Sequence, residues 1–512
     1  MAIKDYEFWF IVGTQHLYGE EIFADINAHA KEMCDEWSAK LPCKVVAKPC
    51  VKTSSEILNI IQEANNTTNC AGIITWMHTF SPSKMWIAGL NALNKPYLHV
   101  NTQFNRDIPW NSIDMDFMNL NQSAHGDREH GYIHARMRKR VKVIAGYWKD
   151  ETFQNKMAVW MRAAVGANES RKLRVLRISD NMRNVAVTDG DKIEAQIKLG
   201  WQVDHYGVGD IIKYVNAVSE DEIDAQMDEY KKNYDFDTDN IDSVRYQARE
   251  EVAIKKFLDE NGFGAFHTNF EDLQELRQLP GLAAQDLMRQ GYGFGAEGDW
   301  KVAAMTRIMK LMAEGMNGGT AFMEDYTYHF EPGNEMLLGS HMLEVCPSVA
   351  AEKPKIQVHP LGIGDREDPA RLVFKAQTGD AIVVTLVDMG DRLRMIVNDV
   401  ECKEQVNDMP NLPVAGVLWK PLPCLQTSAE AWIYAGGAHH SVLSYTLTAD
   451  HMRDFAEIMG IEFIHINKDT EINEFKKELF YNDVAYIDIL VRGSENLYGC
   501  LVQRIIKALS HL

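Results

Sequence analysis

Apolar and polar positions alternate in a regular order along the first 150 residues. Residues 8–12 form a short apolar run that reads as a strand, and 21–40 carry apolar positions at helical spacing. Further strands are predicted at 44–47, 71–76 and 97–100. They alternate with helices at 54–64, capped near Ser54, and at 83–93. Strand–helix alternation at this spacing predicts a parallel sheet covered by helices. Ligands of such sheets bind at the carboxyl ends of strands. Those ends carry Gly13-Thr-Gln15-His16-Leu17-Tyr18-Gly19 and Met77-His78-Thr79-Phe80-Ser81-Pro82.

A second alternation follows, with strands at 141–145, 174–178, 202–205 and 264–268. Its helices are predicted at 191–199, 221–234, 243–261, 283–289 and 300–312. The boundary between the two α/β units falls within 145–175. Near Ala321 the texture changes: 372–375, 381–388 and 393–398 are β-rich runs, with Asp388-Met-Gly-Asp391 as a hairpin turn. Helices return only near 448–459 and at the end, so roughly 328–480 reads as a β sandwich or barrel.

Composition narrows the function. The 512 residues carry a formal charge of −20, which argues against a nucleic-acid partner, because phosphate binding needs clustered Lys and Arg. The charge suits a neutral small molecule or a cation. No apolar run reaches membrane-spanning length, and the N-terminal stretch reads as a first strand rather than a signal peptide. The eight Cys form no Cys-x-x-Cys pair, so buried thiols in a reducing cytoplasm are expected.

Four segments bear candidate chemistry. They are Gly295-Ala-Glu297-Gly-Asp299-Trp300, Phe322-Met-Glu324-Asp325, Gly339-Ser-His341-Met-Leu-Glu344 and Ala435-Gly-Gly-Ala-His439-His440. Two Glu and two His brought together make a mixed oxygen and nitrogen site for a divalent metal. Two carboxylates beside a metal can also move a proton between neighbouring carbons, which suits aldose–ketose isomerisation. Taken singly, each residue has a plainer reading. These are a solvated turn carboxylate at Glu297, a helix N-cap at Asp299, a surface strand at Glu324 and a satisfied core histidine at His341. If 439–440 is extended, only one of its two imidazoles faces a given site.

Two other motifs carry less. Gly293-Phe-Gly295-Ala-Glu-Gly298 spells a dinucleotide fingerprint, but a predicted helix precedes it where a strand is required. His125, Glu129, His130 and His134 form a rival cluster with i, i+4 imidazoles. Gly131 weakens that helix and the His-Glu-x-x-His order is absent, which favours a sugar-contacting or structural role.

Together these segments strongly resemble the L-arabinose isomerase family. The resemblance runs from Trp9-Phe-Ile-Val-Gly-Thr-Gln-His-Leu-Tyr-Gly19 to about Tyr486. It includes Thr79-Phe-Ser-Pro-Ser-Lys-Met-Trp86, Ser112-Ile-Asp-Met-Asp-Phe-Met-Asn-Leu-Asn-Gln122 and Val187-Thr-Asp-Gly-Asp-Lys192. It implies reversible conversion of L-arabinose to L-ribulose through a cis-enediol, in L-arabinose catabolism in the cytoplasm, with a D-galactose to D-tagatose side activity. It implies one Mn²⁺ held by Glu297, Glu324, His341 and His440, with Glu297 and Glu324 as the catalytic acid/base pair. By the same resemblance Gln15, Leu17 and Tyr18 contact sugar in a neighbouring subunit's site of a homohexamer. Gln122, His125 and Phe270 would line the pocket, with His439 close by.

The implied fold is α/β and similar to L-fucose isomerase: two Rossmann-like parallel α/β domains and a β-rich, barrel-like C-terminal domain. The domains expected are 1–165, 166–327 and 328–486. After Ala485-Tyr486 the chain departs from the family, so 487–512 stands as an extension, with an amphipathic helix expected at 501–509. A related isomerase acting on L-fucose or D-galactose is the nearest alternative. A non-catalytic sugar-binding protein is the more distant one, and it has no need of a Glu297–Glu324 pair.

Overall fold

The computed structural model describes residues 2–492. The extension expected at 487–512, with its helix at 501–509, lies outside them except where helix Ile472–Arg492 continues. The chain forms two compact units. One comprises Met1–Arg171, Leu311–Glu314 and Asp450–Met459; the other comprises Lys172–Lys310, Gly315–Ala449 and the chain from Gly460. Among the described residues, no helix is long and apolar enough to cross a membrane.

The first unit holds a five-stranded parallel sheet in the order Lys44–Ala47, Glu7–Val12, Cys70–Trp76, Tyr97–Asn101 and Lys142–Ala145. Phe8, Phe10 and Val12 enter one core with Trp37 and Trp160, whereas Trp9 and Ile11 enter another with Ile57 and Trp86. Both faces are therefore covered, which is why the strand reads as one continuous apolar run. Strand order reverses at Glu7–Val12 and Cys70–Trp76, so the crevice beyond their carboxyl ends is the natural ligand position.

Two local expectations are corrected here, and the cap expected near Ser54 is found one residue away. The strand expected at 141–145 does not open a second sheet; Lys142–Ala145 pairs with Tyr97–Asn101 and completes the first. Helix Ser54–Asn66 starts from Thr53, whose hydroxyl accepts from Glu56 N at 3.2 Å while Glu56 accepts from Thr53 N at 3.1 Å. Helix Ser123–Arg136 forms despite Gly131, because its inner face buries Gly126, His130, Ile133 and His134. Packing overrides propensity there.

The second unit contains a four-stranded parallel sheet in the order Gly293–Ala296, Ala265–Thr268, Arg174–Ile178 and Gln202–Tyr206. Strand Gly293–Ala296 is absent from the sequence reading because half of it is glycine. The glycines admit helix Trp300–Met312: a Cβ at Gly293 would lie 2.1 Å from Ala303 O, and one at Gly295 2.3 Å from Asp299 O. The fingerprint spelling thus serves strand–helix contact, with its first two glycines inside the strand.

The β-rich part is a closed arrangement. Strands follow the order Gly379–Asp388, His440–Ser444, Thr320–His329, Met336–Ser340, Val417–Pro421 and Leu393–Lys403. Leu393–Lys403 then pairs back with Gly379–Asp388, all antiparallel, and Glu462–Ile466 adds to it in parallel. Helix Leu425–Tyr434, in a region expected to be mostly β with helices returning only near 448–459, packs against this arrangement.

Candidate active site

The two carboxylates and two imidazoles come from neighbouring strands and one turn of the second unit. Glu324 lies on the barrel strand Thr320–His329, paired on one side with Ser340 and on the other with His440. His341 follows Ser340 directly, so three of the four residues are brought together by strand register. Glu297 comes from the turn between strand Gly293–Ala296 and helix Trp300–Met312. Its backbone is left-handed, with φ of 61°, an uncommon state for a residue with a Cβ. Gly298, with φ of 90°, packs on Asn181, and Asn181 Nδ2 donates to Gly298 O at 3.1 Å.

Glu297 Oε2 lies 3.8 Å from His440 Nε2 and 3.9 Å from His439 Nε2. Glu324 Oε2 lies 3.9 Å from His341 Nε2. These separations are too long for hydrogen bonds. His341 and His440 are both buried, and the Nε2 of each has no hydrogen-bond partner. Their other nitrogens face carboxylates: His341 Nδ1 is 2.5 Å from Glu344 Oε2, and His440 Nδ1 is 3.5 Å from Asp299 Oδ2. Phe322 packs between the rings, 5.0 Å from His341 and 5.3 Å from His440.

Asp299 fills a second role besides the helix cap expected of it. Its Oδ1 accepts from the backbone N of Lys301 and Val302, each at 3.2 Å, which caps the helix, while Oδ2 backs His440. Lys301 is fully buried, donates to Thr188 O at 3.0 Å and Asp189 O at 2.6 Å, and stands 3.4 Å from Asp299. The segment around Thr188 is thereby tied to the site from below.

Burial pushes the Glu297 carboxyl up, but the imidazoles of His439, His440 and His341 outweigh it and hold it below the usual carboxylate value. Burial pulls His341 down, yet Glu344, with Glu324 and Glu297, leaves it raised. His440 is lowered, chiefly by burial, with Asp299 offsetting part of the effect. His439 is raised by the facing Glu297 carboxylate against the opposing effect of burial. Glu297 is thus ionised near neutrality, as a proton acceptor must be.

The donor set fits a divalent cation. Three nitrogens of the two buried imidazoles lack hydrogen-bond partners: the Nε2 atoms of His341 and His440, each confronting a carboxylate across a gap, and His440 Nδ1, which has Asp299 at 3.5 Å. His341 Nδ1 is backed by Glu344 in the manner of metal-ligating histidines. Among the described residues, Glu297, His439 and His440 form a group of three possible ligands whose ligand atoms all lie within 4.8 Å of one another. Glu324 and His341 form an adjoining pair.

The remaining candidates occupy other positions. In the first unit, Tyr18 Oη accepts from Gln122 Nε2 at 3.3 Å, and Gln122 Oε1 is 3.2 Å from His125 Nδ1. His125 stacks on Phe80 at 4.6 Å. Gln15 precedes this cluster, half-buried, and Leu17 is 81% exposed. In the second unit, Phe270 follows strand Ala265–Thr268 and packs beside Gly364. Of the rival cluster, Glu129 accepts from Ser83 Oγ at 2.7 Å and His125 is exposed, whereas His130 is buried against Tyr97 and Trp86 and stays 5.8 Å, ring to ring, from the buried His134.

Three participants escaped the sequence reading. Glu344 sits three residues after His341, a spacing that was legible but unused. Lys301 gave no signal. Tyr326 occupies an irregularity in the pairing of Thr320–His329 with Met336–Ser340. Its hydroxyl is raised by burial and then by the charges of Glu324 and Glu297. A bulge next to a site re-aims a side chain.

Comparison with known proteins covers almost the whole chain. Three family models match in succession: the L-arabinose isomerase N-terminal domain at 2–172, central domain at 174–315 and C-terminal domain at 319–462. An L-arabinose isomerase of Geobacillus kaustophilus is 54% identical, over 95% of this chain and 99% of its own length. One of Clostridium beijerinckii is 56% identical over the same shares, and one of Bacillus subtilis 55% identical over 95% and 99%.

Proposed function

The chain belongs to the L-arabinose isomerase family and is an isomerase, and from that premise we propose that it interconverts L-arabinose and L-ribulose. The observation that carries the reading is the pair of buried, unpartnered Nε2 atoms of His341 and His440 facing Glu324 and Glu297. We assign one divalent cation, Mn²⁺, to Glu297, Glu324, His341 and His440. When bound there, the ion supplies Lewis-acid polarisation of the sugar carbonyl.

The chain's own residues do the rest. One of Glu297 and Glu324 removes the proton from the carbon beside the carbonyl, giving a cis-enediol. The other moves the hydroxyl proton, and the proton held by the first carboxylate returns to the adjacent carbon. The raised His439 imidazole beside Glu297 balances its charge between these transfers. Glu344 and Asp299 keep the two ligand rings oriented.

Substrate contacts follow the same proposal. Gln122, His125, Phe270 and His439 are assigned as sugar contacts by the family resemblance. Gln15, Leu17 and Tyr18 reach a neighbouring subunit's site in a homohexamer, a role supported by an apolar Leu17 left 81% exposed. We also assign a D-galactose to D-tagatose side activity and a cytoplasmic role in L-arabinose catabolism. The division into 1–165, 166–327 and 328–486, an L-fucose isomerase-like order with 487–512 appended, belongs to this reading and is open to limited proteolysis.

The deciding experiment is ketose formation by metal-stripped protein with and without Mn²⁺, on L-arabinose, L-fucose and D-galactose in parallel. Metal-dependent L-ribulose formation as the fastest reaction is expected. A faster reaction on either other sugar would reassign the substrate. Failure of properly folded, metal-loaded protein to turn over any of them would leave only a sugar-binding role.

A further inference from the structure

Glu324 and Asp325 are successive residues of one strand and point to opposite faces. Asp325 lines a small cavity bounded by barrel strands and helix Leu425–Tyr434, with Leu337, Val383, Trp419, Ser428 and Trp432 among its walls. Its volume is 40 Å³. Asp325 Oδ1 is buried and has no hydrogen-bond partner. An acceptor left so costs about 1–3 kcal/mol, and more when charged.

Tyr328 also lines the cavity, and the donors of Trp432, Ser428 and Asn398 are committed elsewhere. Trp432 Nε1 donates to Ala438 O at 2.9 Å. Ser428 Oγ donates to Asn398 Oδ1 at 2.5 Å, and Asn398 Nδ2 donates to the carbonyls of Asp399, Leu422 and Ile466. What the cavity does offer is aromatic surface. Glycine makes room for both indoles: a Cβ at Gly339 would lie 1.9 Å from the Trp419 ring, and one at Gly437 2.3 Å from Trp432 Nε1.

We propose that this cavity binds a small monovalent cation of the ammonium class, with Asp325 as its counter-ion and Trp419 and Trp432 as its aromatic walls. A carboxylate supplies the charge and the N–H acceptor; indole walls supply cation–π attraction, strongest for Trp and for desolvated cations. Size sets the limit. One water needs about 10–15 Å³ measured in this way, so the cavity takes two or three heavy atoms. Ammonium and methylammonium fit; tetramethylammonium and a sugar do not. The site is separate from the Glu297–His440 centre, because Asp325 turns away from the face that carries Glu324.

The test is thermal unfolding of the full chain at about pH 8 and constant ionic strength. Ammonium, methylammonium, tetramethylammonium and sodium chlorides are compared. Methylammonium should raise Tm over sodium saturably, by about 2–4 °C near saturation, and tetramethylammonium should not. Asp325→Asn should abolish the shift by removing the counter-ion. Ala429→Val, which fills the cavity from the helix, should abolish it while leaving Asp325 intact, so a poorly folding Asp325 variant does not block the test. Glu324→Gln should retain it. The proposal is overturned by a shift that never saturates, by an equal response to tetramethylammonium, by persistence in both cavity variants, or by loss in Glu324→Gln, which would move the cation to the other face.

Discussion

His341 Nδ1 lies 2.5 Å from Glu344 Oε2, which leaves His341 Nε2 free to face Glu324 Oε2 at 3.9 Å. Glu344 also accepts from Leu343 N at 3.0 Å, so its carboxylate is held by the backbone while it holds the ring. Carboxylates in this position fix the tautomer of a ligating histidine and raise its basicity. Glu344→Gln should therefore weaken Mn²⁺ binding about 10–100-fold while the protein stays folded. Calorimetric metal titration with circular dichroism alongside decides it; unchanged affinity would remove Glu344 from the centre.

The two carboxylates should separate folding from turnover. Glu297→Gln and Glu324→Gln keep size and hydrogen-bonding capacity, yet neither amide can accept and return a proton. Each should lower kcat by at least about 10²–10⁴-fold, the usual contribution of a positioned acid or base. Kinetics at saturating Mn²⁺ are required, so that lost metal is not mistaken for lost proton transfer. Activity within a few-fold of the unsubstituted enzyme in either variant would end the two-carboxylate scheme.

How the turn at Glu297 is built gives a stability prediction. Gly298 has φ of 90°, and a Cβ there would sit 2.4 Å from Asn181 Cα, a backbone atom that cannot swing aside. Left-handed strain and overpacking each cost about 1–3 kcal/mol, so Gly298→Ala should lose roughly 2–6 kcal/mol. Urea denaturation measures this directly. A loss below about 1 kcal/mol would mean that the turn relaxes.

These relationships also mark where sequence reading stops. Residues 8–12 were legible as a strand because both faces of Glu7–Val12 are covered, which leaves one uninterrupted apolar run. The strand at Gly293–Ala296 was not, because its glycines answer to a helix packed against them rather than to any periodicity. Lys142–Ala145 was assigned to the wrong sheet, since its partner Tyr97–Asn101 is set by register and not by order of appearance. At the site, Glu297, Glu324, His341 and His440 could be named through a resemblance, but their supports could not. Tyr18 meets Gln122 across 104 residues, and Lys301 is held by carbonyls of a segment 112 residues earlier. Such contacts exist only once the chain is folded.

Metal binding should depend on pH through His341. Its pKa is raised, with Glu344 and the two site carboxylates overcoming burial. For folding without metal, a raised imidazole contributes stability that is complete below the unfolded value of about 6.5 and lost as pH rises through the folded value. Metal affinity runs the other way, because the ion must displace that proton. Affinity for Mn²⁺ should climb by up to about tenfold per pH unit and flatten above the raised His341 value. Glu344→Gln should move the flattening to lower pH. Titrations between about pH 6 and pH 9 that show constant affinity would contradict the assignment.

A last prediction concerns carboxyls far from this chemistry. Glu251 and Asp286 are both buried, with Tyr230 Oη donating to Glu251 at 2.5 Å and Arg289 Nε to Asp286 at 2.7 Å. Burial, then Asp286, drives Glu251 well above the usual carboxylate value, whereas Arg289, with hydrogen bonds from Glu251 and Tyr234, leaves Asp286 lowered against the effect of burial. Glu251 therefore holds its proton to higher pH than an ordinary carboxyl. The contribution of such a raised acid is complete below the unfolded value of about 4.3 and is lost as pH rises through the folded value. Glu251 also accepts from Gln226 Nε2 at 3.0 Å and Gln290 Nε2 at 2.8 Å, and Glu251→Gln keeps the side chain neutral at every pH with one acceptor oxygen left for these donors. Its Tm relative to the unsubstituted protein should thus rise steadily between about pH 6 and pH 9. If the difference is flat or falls, Glu251 is ionised in the folded state and the direction assigned to it is wrong.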